Sequence, residues 1–376
     1  MSFVEKIISE SLMKGIVDTP LHVLLPPFIH RDASERGSMA LSFLFYIEGY
    51  VQIFIWYTLL GWALYAVSVT TMRKRGGARF SYSVPIDPPG EKVTLLGGLK
   101  YVLPRAIYTH PSFKIDMLWT PFATVLRLAG VLTVTLGAGV VQGWLDRRIG
   151  PSFIDIPDGY LAIALQVVLL LLARDFSRYM WHYQAHSVRF FWEFHKVHHS
   201  AEVLHPFGVR THPVDLFLRN SYIGVGGALL AGSLMFALGM KYSATAGYIF
   251  TGVISVLGLF EHFEHSHVSL SFGKYIGRYI YSPYLHQFHH GAGLEHRDVN
   301  LGIAGGLTLW DRLFKTYYLP KDGEKVIWGS SMEELGENNP HRTLWGLFWT
   351  PFVEAFRFRR SAVAATERDV RQAELG

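Results

Sequence analysis

The most regular feature of the chain is a series of apolar runs separated by polar, charged segments. Residues 41–72 are apolar apart from Glu48 and Gln52, and the run closes on Arg73-Lys74-Arg75. That exceeds the roughly 20 residues a membrane-spanning helix needs. Residues 80–118 are polar and rich in proline (Pro85, Pro88, Pro89, Pro104, Pro111), which predicts loop with short helices. A second apolar run covers 122–145 and carries Arg127, and a third, LAIALQVVLLLLA, covers 161–173 and closes on Arg174-Asp175. The third is short for a span unless its helix continues. Runs at 222–239 and 244–260, joined by Met-Lys-Tyr-Ser, predict a hairpin whose shortness and glycine content leave open whether it crosses fully. At the start of the chain Phe3, Val4, Ile7, Ile8 and Leu12 recur at helical spacing, without the pattern of a signal peptide. This suits a helix lying at a membrane surface or packed on its own protein.

Composition agrees with this pattern. Half of the 376 residues are hydrophobic, only 17% are charged, and the mean hydropathy is +0.20. Lys+Arg 35 against Asp+Glu 30 gives +5. The basic residues flank apolar runs instead of forming a stripe, which argues against nucleic acid as a partner. Arg73, Lys74, Arg75 and Arg79, with Lys92, Lys100, Arg105 and Lys114, make the loop at about 73–118 cytoplasmic by the positive-inside rule. The third run then returns to the cytoplasm at Arg174. With no cysteine, disulfides, sulfur-ligated metals and a cysteine nucleophile are excluded.

Of the 18 histidines, fourteen lie between His182 and His296. Asp175, Tyr179, His182 and His186 are spaced 4, 3 and 4, so they share one helical face. His195-Lys196-Val197-His198-His199 is an H-x2-H-H string, and His286-Gln287-Phe288-His289-His290 is another. Between them lies Glu261-His262-Phe263-Glu264-His265-Ser266-His267. Imidazoles one helical turn apart point the same way, so several such pieces can surround one volume with eight or more nitrogens. That exceeds what one tetrahedral zinc accepts and suits two metals with open positions for oxygen. Asp175, Glu193, Glu264 and Asp298 are candidates to hold the ligands from behind. His205 and His212, each followed by proline, read as loop or supporting histidines, and His296 as supporting or surface.

H-x3-H and the two H-x2-H-H strings, with R-T-H-P between and D-V-N-L-G and L-W-D-R-L-F-K-T-Y after, resemble the fatty acid hydroxylase/sterol desaturase superfamily over about 160–320. The resemblance implies an integral membrane, non-haem oxygenase with two Fe ions (zinc being a replacement in purified protein), acting on lipids with O2 and external electrons. His182, His186, His195, His198, His199, His286, His289 and His290 match the box positions, and His265 the lone histidine after the hairpin. Some members carry a further histidine where this chain has Glu261, so Glu261, His262 or His267 is left to supply a tenth group, or the site has nine. Asp175, Tyr179, His212, Glu264, His296, Asp298 and Asn300 are expected around the ligands. The haem-binding string H-P-G-G does not occur, so a separate ferredoxin or cytochrome with its reductase is the expected donor. The serious rival is a histidine-rich membrane protein that binds or transports metal, but transport calls for ligands along a path inside the spans.

The expected architecture is therefore all-α: a polytopic bundle of four to five apolar helices with a cytoplasmic histidine-rich helical cap holding a dinuclear metal site. Its parts are an N-terminal amphipathic segment (1–40), an N-terminal transmembrane region (41–158), a catalytic domain including the hairpin (159–320) and a cytoplasmic tail (321–376). Hydroxylation and desaturation share the same oxidant and are not separable from sequence.

Overall fold

The computed structural model describes residues 54–67, 69, 92–128, 136–152, 154–321, 324, 326–330 and 339–357. The expected surface helix within 1–40, the basic cluster at 73–79 and the charged end of the tail lie outside the described residues. Among those described, the chain is helical; its only strand-like pairings are isolated bridges such as Ile280 with Leu307.

Three helices are long and apolar enough to cross a membrane: α5 (Tyr160–Ser187), α7 (Pro213–Ala237) and α8 (Ala244–Glu264). They precede and follow shorter elements: α1 (Phe54–Val67), α2 (Leu95–Val102), α3 (Pro111–Leu128), α4 (Ala138–Ile149), α6 (Arg189–His199), α9 (Pro283–His289) and α10 (Leu344–Phe356). The third apolar run is thus only the first half of α5, whose 28 residues rise about 42 Å against a hydrocarbon core of about 30 Å. The hairpin is also longer than its apolar letters: α7 starts upstream at Pro213 and α8 runs on to Glu264, giving 25 and 21 residues. The second apolar run is not one described helix; it is carried on α3, which contains Pro121, and α4, with 129–135 between them outside the described residues.

Only 11% of the apolar window of α8 is buried within the protein, and 22% of those of α5 and α7. Their hydrophobic surfaces face outward, as lipid-exposed helices must. Inward, α7 packs on α5 and α4. Ala173, Ala231 and Met235 form the core there, the small side chains letting backbones approach as membrane helices require. The turn of the hairpin is tied to α5 by one buried amide: Gln166 donates to the Lys241 carbonyl at 3.0 Å and accepts from the Ser243 N–H at 2.8 Å. Gly239 has a φ of 64° where the Ile154 backbone approaches, a position that favours glycine.

The histidine-bearing ends of α5 and α8 meet α6 and α9 at one end of this bundle. α6 is amphipathic and lies between α5 and α10. α7 opens with Pro213 at its first turn, and His212 caps it by accepting from the Val214 N–H at 3.2 Å. α9 also begins on a proline, Pro283, and packs against α8.

Candidate metal centre

Nine histidines converge into two adjoining groups. His182, His186, His195, His199 and His289 form the first, and His198, His265, His286 and His290 the second; within each, one ring nitrogen per residue lies within 4.8 Å of the others. These are the nine histidines expected at the box positions and after the hairpin. The partition does not follow the strings. His198 and His199 are neighbours on α6, yet their rings are inclined at 83° and enter different groups. His289 and His290 divide likewise, and the rings of His199 and His290 stack across the boundary at 4.5 Å.

The first group is held from behind. His182 Nδ1 donates to the Leu301 carbonyl at 2.7 Å and His289 Nδ1 to the Val299 carbonyl at 2.8 Å. His186 Nδ1 meets Asp298 at 3.0 Å and His195 Nδ1 meets Asp215 at 3.1 Å. An imidazole that donates through Nδ1 presents a lone pair at Nε2. The Nε2 atoms of His186, His195, His199 and His289 are buried without a hydrogen-bond partner among the described residues. Four orphaned acceptors aimed at one point fit a metal ion, since leaving them unpaired would otherwise cost about 1–3 kcal/mol each.

In the second group the Nε2 atoms face one another, with His265–His198, His286–His265 and His290–His286 all at 3.1 Å. Ligands about 2.1 Å from one ion stand roughly 3.0–3.4 Å apart, so this spacing also fits metal. Nδ1 of His198, His286 and His290 has no partner among the described residues. The two groups therefore differ in how firmly their rings are oriented.

Burial, and then the neighbouring imidazoles, hold His198, His199, His286, His289 and His290 well below the usual histidine range. Burial and then Arg219 take His265 down to about 3. These rings are neutral at physiological pH, the form that ligates metal.

The loop after α9 explains the D-V-N-L-G string. Asp298 and Asn300 have φ of 55° and 53°, a sparsely populated conformation for residues with side chains, and it turns the Val299 and Leu301 carbonyls toward His289 and His182. Asp311, from L-W-D-R, clamps the loop by accepting from the Leu301 and Gly302 N–H groups at 2.7 and 3.0 Å. Sequence reasoning missed Asp215 and Asp311 as supports. Their signals were H-P-V-D, which puts an acid in the first turn of α7, and an acid inside a string read only by likeness.

Of the seven residues expected around the ligands, Asp298 forms a hydrogen bond with a histidine of the first group. Asp175 accepts from the Leu307 N–H and the Trp310 indole, and Tyr179 meets Thr316 at 2.9 Å. Glu264 accepts from the Ala304 N–H, His296 meets Glu324 at 2.7 Å, and Asn300 accepts from the Tyr318 N–H. His212 supports α10 through the Phe348 carbonyl at 3.1 Å. These residues brace the loops that carry the site. As for the three tenth-group candidates, neither histidine group takes them in. Glu261 forms an ion pair with Arg178 at 2.6 Å, and His267 is fully buried against the Tyr101 carbonyl at 2.5 Å. His262 lines a cavity of about 160 Å³ beside both groups.

Residues 167–316, which contain all nine histidines, match the family model of fatty acid hydroxylases. Over this stretch the chain is similar to the fatty acid hydroxylase/sterol desaturase superfamily. Alkylglycerol monooxygenase of Xenopus tropicalis is 28% identical over 267 residues, 66% of this chain and 55% of that protein. The ornithine lipid hydroxylase of Rhizobium tropici is 29% identical over 159 residues, 42% of this chain and 43% of that one. A Delta(7)-sterol 5(6)-desaturase of Eremothecium gossypii is 21% identical over 336 residues, covering 85% and 81% of the two chains. The matches thus span about half the length of the first two relatives. No solved structure matches significantly.

Proposed function

We propose that the protein is a membrane-bound non-haem di-iron oxygenase that uses O2 and external electrons to hydroxylate an unactivated C–H bond of a lipid. The observation that carries this reading is the division of nine histidines into two adjoining groups of five and four. That is the donor set for two metal ions in contact with one substrate volume, and thiolate ligation is excluded because the chain has no cysteine. Iron bound there supplies the power to break a strong C–H bond with O2. The relatives named above, two hydroxylases or monooxygenases and one desaturase, support a lipid substrate and favour hydroxylation.

The chain's own residues supply position. Asp215, Asp298 and the Val299 and Leu301 carbonyls orient the ligand rings, and the ends of α5, α7 and α8 wall off water. The histidines would face the cytoplasm, on the same side as the basic loop at about 73–118, with α1 and the α3–α4 region bringing the membrane crossings to four or five. The segments 1–40, 41–158, 159–320 and 321–376 would serve as surface helix, membrane region, catalytic domain and tail. Electrons would come from a separate ferredoxin or cytochrome.

The test is purification with iron, followed by metal analysis and incubation with lipid, reductant and 18O2. About two irons per chain and one 18O in the lipid product are expected. Bound metal without oxygen-dependent lipid modification would favour a metal-binding or transport protein instead, and loss of two hydrogens without 18O would make the reaction a desaturation.

A further inference from the structure

We infer that the cavity beside the two histidine groups is a headgroup site: the substrate is an amphiphile whose polar head sits against Arg178, Arg219, Glu261 and Glu264, and the carbon oxidised lies a few bonds from that head. This rests on the lipid-oxidation reading above.

The cavity, of about 160 Å³, touches both groups, through His182 and His195 of the first and His198, His265 and His286 of the second. A substrate carbon placed in it therefore faces both metal positions. Arg178 stands four residues before His182 on α5, and Glu261 four before His265 on α8. Four residues of helix, about one turn, rise about 6 Å along the axis. Both helices run from their apolar segments toward the histidines, so the charged residues lie one turn to the bilayer side of the ligands. A lipid entering from the membrane meets them immediately before the metal.

Charges at that depth are costly and mark function. Arg178 and Glu261 pair at 2.6 Å across α5 and α8, and Arg174 adds a second cation 3.8 Å from Glu261. Even so, the Glu261 side chain stays 32% exposed, turned to the cavity. A bare hydrocarbon filling this space would strip water from guanidinium and carboxylate groups and return no hydrogen bond. A head that both donates and accepts returns those bonds, donating to Glu261 and Glu264 and accepting from the arginines. Because both signs line the wall, a hydroxyl-rich or zwitterionic head fits better than one of a single charge. With the head held one turn from the histidines, the carbon over the metal is separated from it by a few bonds. A methylene in the middle of a long chain would require the head to sit elsewhere.

The experiment uses the full chain in nanodiscs, with radiolabelled hexadecylglycerol (hydroxyl head) and Nα-palmitoylornithine (zwitterionic head), and hexadecane as headless competitor. At least one headed lipid is expected to bind, with hexadecane needing at least about tenfold higher concentration to compete, and R178Q to weaken that binding by about tenfold, the worth of one charged hydrogen bond. Mass spectrometry of the iron-loaded, reduced protein should place new oxygen within a few carbons of the head. Equal competition by hexadecane, R178Q binding unchanged, or oxygen in mid-chain would overturn the inference. Should R178Q fail to fold with Glu261 left unpaired, the R178Q/E261Q pair and the wild-type comparison of headed with headless lipid decide it. Selective binding without any oxidation would uphold the headgroup site and overturn the oxygenase reading.

Discussion

His195 Nδ1 lies 3.1 Å from Asp215 Oδ2, so the ligand-bearing helix α6 is tied to the first turn of α7, twenty residues further along the chain. Both groups are buried. D215N keeps the shape but can present its NH2 to the ring, which removes the charge and allows the wrong tautomer. Because supports of this kind typically contribute about 10–100-fold to metal affinity or activity, D215N should lower iron in the first group and hydroxylation by that order. Metal content and turnover of the purified variant check this; unchanged values in both would mean that His195 is oriented by other contacts.

The assignment of His198 and His199 to different groups gives a sharper expectation. H198A should empty the second group and H199A the first, each leaving about one iron per chain in the other, whose full set of five or four histidines is intact. Both should lose more activity than the roughly 100-fold typical of removing a support. Metal analysis with Mössbauer spectra of the remaining iron distinguishes them, because the retained ions have different ligand sets. Identical spectra for the two variants would contradict the partition.

Which histidines matter was legible because ligation by helix faces is local: i, i+3 and i+4 spacing is written in the strings themselves. The partition was not, because it depends on how four helix ends face one another, and neighbours such as His289 and His290 point apart. Supports were harder still, since backbone carbonyls such as Val299 and Leu301 carry no residue-type signal. The lengths of α5, α7 and α8 were underestimated for a related reason. Each helix continues through polar residues that are stable there only because other helices bury them, as Arg178 and Glu261 do for each other.

Unequal support of the two groups predicts how metal leaves. Four rings of the first are held through Nδ1 by a carbonyl or carboxylate, while three of the second have no such partner among the described residues. A chelator should remove iron in two phases, the second group emptying first, with affinities about 10–100-fold apart. Chelation followed by metal analysis of H198A and H199A assigns the phases. A faster loss from H198A, which keeps only the first group, would reverse the order.

Asp116 brings α3, upstream of the residues that match the family model, into the site's foundation. It accepts from Arg210 Nε at 2.5 Å and from His205 Nε2 at 3.1 Å, and Arg210 in turn donates to the carbonyl of Ser200, the residue after His199, at 3.1 Å. All these side chains are buried. D116N leaves a buried guanidinium without its counter-charge, which should cost about 3–5 kcal/mol. Thermal unfolding in detergent should show a large downward shift, accompanied by lower iron in both groups because α6 serves both. A stable variant with full iron would show that α3 is dispensable to the centre.

His341 makes the protein's acid sensitivity testable away from the metal ligands. It is 1% exposed, and neither ring nitrogen has a hydrogen-bond partner among the described residues. Burial first, then the cations Lys196 and Arg210 and the His212 ring, take it down to about 3. An unfolded histidine titrates near 6.5. Between these values the unfolded chain binds the extra proton, so stability rises with pH and is lost on acidification below about 6.5. One such group accounts for about 2 kcal/mol between pH 6.5 and 5. H341L, similar in volume, removes both the titration and two unpaired polar atoms. At about pH 7.5 it should unfold at the same temperature as the wild type or higher, and its margin should widen as pH falls toward 5. Unfolding temperatures measured in parallel across that interval decide the point: a constant difference between the two proteins would mean that His341 binds its proton as readily in the folded as in the unfolded chain.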